Sequence, residues 1–177
     1  MLPRTIFLML GYPGSGKTTA ARCLEALTGA VHLWADQRRH KYFEQPHFTT
    51  EENICLYDAL NREVEQLLAE NKSVIYDTSF NYYNDRQRLQ AIASIHHAQT
   101  IVVHVVTPKN VALQRATNGA HMQSTRILGD MSIKDFERLC AALEEPQPHE
   151  VTLKLDGQQM TQEYVREVLQ ITKILTA

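Results

Sequence analysis

The sequence predicts an α/β fold in three layers, a five-stranded parallel sheet with helices on both faces and a lid, held in a single domain over residues 1–177. Three observations predict it. Short apolar runs alternate with segments of helical period, the pattern of parallel strands joined by crossover helices. A glycine-rich stretch, Gly11-Tyr12-Pro13-Gly14-Ser15-Gly16-Lys17-Thr18, follows directly on the first of those runs. The second and third runs lead into aspartates, Asp36 and Asp77, at the edge where parallel sheets bind their ligands.

The first strand is the apolar run Thr5–Leu10, and a helix over residues 19–27 is closed by Gly29. Val31–Trp34 is a short second strand ended by Asp36, and Gln37 to Phe43 reads as a short helix. Thr49 with Glu52 resembles a capping box ahead of Ile54, Tyr57, Leu60, Val64, Leu67 and Leu68 at helical spacing. Residues 73–76 form the third strand, and Asn84 with Gln87 opens a helix to about residue 97. A buried fourth strand covers residues 100–106, and Pro108 begins a helix through Arg115. Asn118-Gly119 breaks that helix, and the polar stretch that follows makes residues 116–131 the expected lid. Ser132 caps a helix to about residue 143, Pro146 and Pro148 force an extended connection, residues 151–155 are the fifth strand, and Tyr164, Val168, Ile171 and Leu175 mark the last helix.

The glycine-rich stretch fits Gly-x-x-x-x-Gly-Lys-Ser/Thr, a phosphate-binding loop. Its backbone N–H groups can wrap a diphosphate only where no side chain intrudes, and the start of the next helix adds partial positive charge. Gly11, Pro13, Gly14, Ser15, Gly16, Lys17, Thr18 and Thr19 are therefore the expected nucleotide-binding residues. Lys17 meets the β and γ phosphates, and Thr18 ligates Mg²⁺. Topology brings Asp36 and Asp77 to the same sheet edge, where a carboxylate can accept a proton from an attacking hydroxyl or hold Mg²⁺ directly or through water. Asp77 closes an apolar strand as a Walker B residue does; Asp36 alone also fits a helix N-cap. Arg38, Arg39, His40 and Lys41 crowd one short helix beside Asp36, either to receive an anionic part of an acceptor or as a solvated face. Arg115 and Arg126 bracket the lid, where a guanidinium can stabilise charge on a phosphoryl group in transit.

Eighteen basic and twenty acidic residues leave a formal charge of -2, so no global field draws the chain to nucleic acid or an anionic membrane. The three cysteines make neither a CxxC pair nor a disulfide framework. The histidines lack carboxylate or cysteine partners at zinc spacing, and Mg²⁺ is expected to arrive with the nucleotide. The first apolar run is too short for a secretory signal, and no segment has the length of a membrane span. A soluble cytoplasmic protein is expected.

With these residues in view, the chain resembles the small P-loop kinases related to polynucleotide 5′-hydroxyl kinase, with zeta toxins and chloramphenicol phosphotransferase more distant. The resemblance rests on GYPGSGKTT, Asp36-Gln37-Arg38-Arg39 as a D-x-x-R, Val74-Ile75-Tyr76-Asp77-Thr78-Ser79 followed by Arg86, Leu113-Gln114-Arg115 at the lid, and Glu145-Pro146 with Glu150. It implies ATP·Mg²⁺ on Lys17 and Thr18, Asp36 as general base, Arg39 positioning the acceptor, and Asp77 organising the Mg²⁺ and lid side. It also implies a sheet with strand three between strands two and one. The polynucleotide kinases carry a second lid arginine where this chain has Gly119, and Arg126 is the candidate to replace it. The expected activity is transfer of the γ-phosphate of ATP to a hydroxyl of a small molecule, nucleoside or nucleic-acid 5′ end, with no membrane partner and no extended nucleic-acid surface. A toxin-like nucleotide-sugar kinase and a non-catalytic ATP-binding module are the alternatives.

Overall fold

Every residue of β1 (Thr5–Leu10) is buried, because the strand lies at the centre of the sheet with helices over both of its faces. The computed structural model describes residues 3–118, 124, 125, 127, 129–172 and 174. Gly119, His121 and Arg126, with much of the expected lid, lie outside the described residues.

The remaining strands are β2 (Val31–Trp34), β3 (Val74–Asp77), β4 (Gln99–Val106) and β5 (Thr152–Asp156), in the order β2-β3-β1-β4-β5 with every pairing parallel. Strand three lies between strands two and one, as the resemblance implies. Alternation along β1 divides the core. Ile6 and Leu8 pack with Leu56, Leu60, Val64 and Leu68 of α3 (Thr50–Ala69) and Leu89 and Ile92 of α4 (Tyr83–Ile95). Phe7 and Met9 turn the other way, onto Ala20, Ala21 and Leu24 of α1 (Lys17–Thr28) and Val165 and Leu169 of α7 (Gln162–Ile171). The other helices are α2 (Ala35–Tyr42), α5 (Lys109–Asn118) and α6 (Ile133–Ala141).

Several boundaries differ from expectation for local reasons. The helix after β2 starts at Ala35 with Trp34 in the N-cap position, so Asp36 lies inside its first turn and does not cap it. Thr49 does cap α3, its hydroxyl accepting from Glu52 N–H at 3.2 Å. The Glu52 carboxylate does not close the box; it accepts from the N–H groups of His47 and Phe48 instead. Asn84 does not open α4, whose first N–H, on Tyr83, donates 2.6 Å to Oε2 of distant Glu144. Asp77 belongs to β3, in register with Trp34.

Candidate active site

The glycine loop follows directly from β1. Gly11, Gly14 and Gly16 have φ of +146°, +76° and +104°, a region open to glycine and strained for residues with a Cβ. Close packing adds a second reason for two of them. A Cβ on Gly11 would lie 2.5 Å from the Val105 carbonyl, and one on Gly14 would lie 2.3 Å from the Ala112 carbonyl of α5. Behind the loop, Thr107 Oγ1 donates 2.8 Å to the Ser15 carbonyl, and Gly157 approaches so closely that a Cβ there would sit 2.1 Å from the same oxygen.

This is a closely packed cradle with donors at its mouth. No side chain caps the N-terminus of α1, which starts from Gly16, so its first backbone N–H groups are not taken by a capping oxygen. Lys17 Nζ donates 2.9 Å to each of the Gly11 and Tyr12 carbonyls, which holds the ammonium against the loop. Ser15 Oγ is buried and makes no hydrogen bond among the described residues. An orphaned hydroxyl, a helix start and an ammonium group suit an anionic phosphate chain. Pro13 is buried in the loop, and Thr18 and Thr19 are half-buried in the first turn of α1.

At the neighbouring strand tips, Asp77 is 4 % exposed and its Oδ2 lies 3.0 Å from His32 Nε2 on β2. His32 Nδ1 lies 3.7 Å from Glu25 of α1. The Trp34 ring stacks near that of His32, at 6.2 Å between centroids and 17° between planes, and the Arg22 guanidinium stands 5.5 Å above Trp34. Asp36 follows at the start of α2, half-buried, in the first turn of the helix.

Arg39 has a different setting from the one its exposed-looking sequence context suggests. It is 4 % exposed, donates 2.6 Å from Nη2 to Asn53 Oδ1, lies 3.7 Å from Glu52, and stacks 4.8 Å above Phe48. It thereby ties α2 to the entrance of α3, while its Nη1 makes no hydrogen bond among the described residues. The N–H groups of His47 and Phe48, together with the charge of Arg39, hold the Glu52 carboxyl below the usual carboxylate range. Arg38 pairs with Glu63 on α3. Tyr57 OH and Thr78 Oγ1 meet at 3.2 Å beyond the tip of β3.

On the other side of the cradle, Arg115 projects from α5 and donates 3.0 Å to the Gly157 carbonyl. Its Cβ is among the atoms nearest to Gly14. Two contacts reach from the expected lid to the strand-two side: Arg22 Nη1 donates 3.0 Å to Ser124 Oγ, and His40 Nε2 lies 3.4 Å from the Ile127 carbonyl. Arg126 lies outside the described residues.

A family profile described as an AAA domain, AAA_33, matches residues 6–143, which contain the loop and both aspartates. The chain belongs to the AAA_33 family. No curated protein matches it in sequence. Among solved structures, Kti12 from Chaetomium thermophilum in complex with ADP-AlF3 aligns with a TM-score of 0.74 and 21% identity over 99% of this chain and 100% of that one. A gluconokinase from Sinorhizobium meliloti aligns at 0.67 and 20% over 98% and 94%. The Mycobacterium tuberculosis APS kinase CysC, in complex with AMPPNP and APS, aligns at 0.64 and 15% over the full length of both. These likenesses establish a P-loop kinase-like fold for this AAA_33 chain.

Sequence reasoning missed the groups that surround the expected residues: His32 and Trp34 beside Asp77, Thr107 and Gly157 behind the loop, and Asn53 beneath Arg39. Only strand register links His32 to Asp77, and only tertiary contact links Gly157 to Ser15. Neither leaves a local motif. No helix among the described residues is long and apolar enough to cross a membrane.

Proposed function

We propose that this chain is an ATP-dependent kinase that moves the γ-phosphate to a hydroxyl acceptor, a small molecule, nucleoside or nucleic-acid 5′ end. The observation that carries the reading is the cradle of residues 11–18 opening on the same sheet edge as the tips of β2 and β3, where Asp36 and Asp77 stand. Within the small P-loop kinases, the similarity to polynucleotide 5′-hydroxyl kinase supplies the roles.

Gly11, Pro13, Gly14, Ser15, Gly16 and Thr19 shape and line the phosphate site, and Lys17 holds the β and γ phosphates. Thr18 and Asp77 hold Mg²⁺, directly or through water; when bound, the ion neutralises charge on the phosphate oxygens. Asp36 takes the proton of the acceptor hydroxyl as the new oxygen–phosphorus bond forms and the bond to the departing ADP breaks. Arg39 holds the entrance of α3 in place and so positions the acceptor. Arg115 stands over the phosphate loop, and Arg126 completes the charge of the lid. The lid spans residues 116–131, closed at its base by Met131 N–H on the Ala116 carbonyl at 2.9 Å. The chain works as one cytoplasmic domain, with no membrane partner and no extended nucleic-acid surface.

The test is acceptor-dependent ADP release, measured beside ATP binding, across 5′-hydroxyl oligonucleotides, nucleosides, sugars and aminocyclitols. A kinase releases ADP faster with one acceptor class, and Asp36→Asn abolishes that increment. ATP binding with no acceptor response would make the chain a nucleotide-binding module, and no ATP binding would end the reading.

A further inference from the structure

Asp77 is buried at the ligand edge of the sheet, and its Oδ2 meets His32 Nε2 at 3.0 Å, which leaves Oδ1 on the other side of the carboxylate. We infer that His32 is a positioning residue that fixes the Asp77 carboxylate so that Oδ1 is presented to the Mg²⁺ side of the nucleotide site. This rests on the kinase reading given above.

Strand register makes the contact possible. His32 pairs with Ile75 and Trp34 with Asp77, so His32 and Asp77 are diagonal neighbours on one face of the sheet. A carboxylate only accepts, so the Asp77 bond requires the hydrogen on Nε2. The imidazole itself has little freedom. Its side chain is 8 % exposed, Glu25 lies 3.7 Å from Nδ1, and Trp34 covers it in a near-parallel stack that Arg22 closes from α1. Trp34 Nε1 is buried without a hydrogen bond among the described residues, a second polar group at this edge left for a ligand or its water.

A buried polar pair is a weak source of stability, because apolar residues of the same volume often do as well. Its value lies in orientation. A group that donates to a ligating carboxylate fixes the rotamer of that ligand, and removing such a partner commonly weakens metal affinity by about 10- to 100-fold.

The test uses the full chain with β,γ-imido-ATP and Mg²⁺, read by calorimetry and by the fluorescence of Trp34, the single tryptophan of the sequence. For wild type, nucleotide binds in EDTA and tightens with Mg²⁺. In His32→Asn, whose carboxamide falls short of Oδ2, metal-free affinity stays within about 2-fold and the Mg²⁺ half-saturation point rises about 10-fold or more. His32→Gln, whose Nε2 reaches the position of the imidazole nitrogen, restores it to within about 3-fold of wild type. His32→Leu in an Asp77→Asn background adds no further shift in Mg²⁺ dependence. An unchanged half-saturation in His32→Asn overturns the inference, as does an equal defect in His32→Asn and His32→Gln, which would mark a packing role. Wild type that binds nucleotide without regard to Mg²⁺ overturns the inference and leaves the cradle standing. Wild type that binds no nucleotide removes the kinase reading and the inference together.

Discussion

Arg86 and Glu150 form a two-point ion pair in the interior, Nε to Oε1 at 2.8 Å and Nη2 to Oε2 at 3.0 Å, with 1 % and 7 % of the two side chains exposed. The same guanidinium donates to the carbonyls of Phe80, Glu144 and Glu145, so α4 grips the connection between α6 and β5. Arg86→Met leaves a buried carboxylate without its partner. It should lower the free energy of unfolding in urea by about 3–5 kcal/mol. A loss below about 1 kcal/mol would show that the strap holds without this pair.

The pair also sets an acid limit. Burial alone would raise the Glu150 carboxyl, but the hydrogen bonds from Arg86 and the Gln147 N–H hold it below the usual range. A carboxyl lower in the folded than in the unfolded chain stabilises above its unfolded value, about 4.3, and that stability is lost as pH falls through the folded value. The stability gap between wild type and Arg86→Met should therefore narrow as pH falls from about 5 to about 3. Paired urea melts across that range check it, and a constant gap would contradict it.

Gly157 lies on no recognised motif, yet a Cβ there would sit 2.1 Å from both the Ser15 carbonyl and Thr107 Oγ1. Gly157→Ala must push the phosphate loop or the turn after β5. The expected result is loss of nucleotide affinity by about 10-fold or more with a stability loss of about 1–3 kcal/mol, seen by calorimetry and thermal melting. Wild-type affinity would mean that the loop gives way at no cost.

Asp36 and Lys17 should separate in kinetics. On the proposed reading Asp36→Asn keeps the shape and removes the base, so turnover with the best acceptor should fall about 10²- to 10⁴-fold while ATP affinity changes little. Lys17→Ala should weaken both. Equal turnover in Asp36→Asn and wild type would take Asp36 out of the chemistry.

Glu144 reaches the first N–H of α4 from a different part of the chain. Glu144→Ala should cost about 0.5–2 kcal/mol, the range for loss of a helix cap. Asn84→Ala should cost far less, because the Asn84 side chain caps nothing. Unfolding of the two variants side by side decides between these caps.

The sequence reveals most where the physics is local. The loop of residues 11–18 is consecutive, so its glycines, lysine and threonine were legible as one object, and the apolar runs located every strand to within a residue or two. The order of the strands came only from resemblance, since alternation fixes parallel pairing and not neighbours. Contacts made over long sequence separations were hidden. Asn84 and Gln87 carry the composition of a helix start, but α4 starts at Tyr83, whose N–H donates to Glu144 from a distant part of the chain. Arg39 sits in a run of basic residues that reads either as an acceptor-binding cluster or as a solvated face, and only the folded chain brings Asn53, Glu52 and Phe48 around it. A lone histidine such as His32 carries no signal until the register of β2 against β3 brings it to Asp77.

Gly157 stands against Ser15, although a long stretch of sequence separates the two residues. On the ribosome, the phosphate loop emerges early and must wait without its rear wall until the strand that carries Gly157 has been made and threaded beside β4. Until that strand has joined the sheet, the loop lacks the wall that fixes its shape.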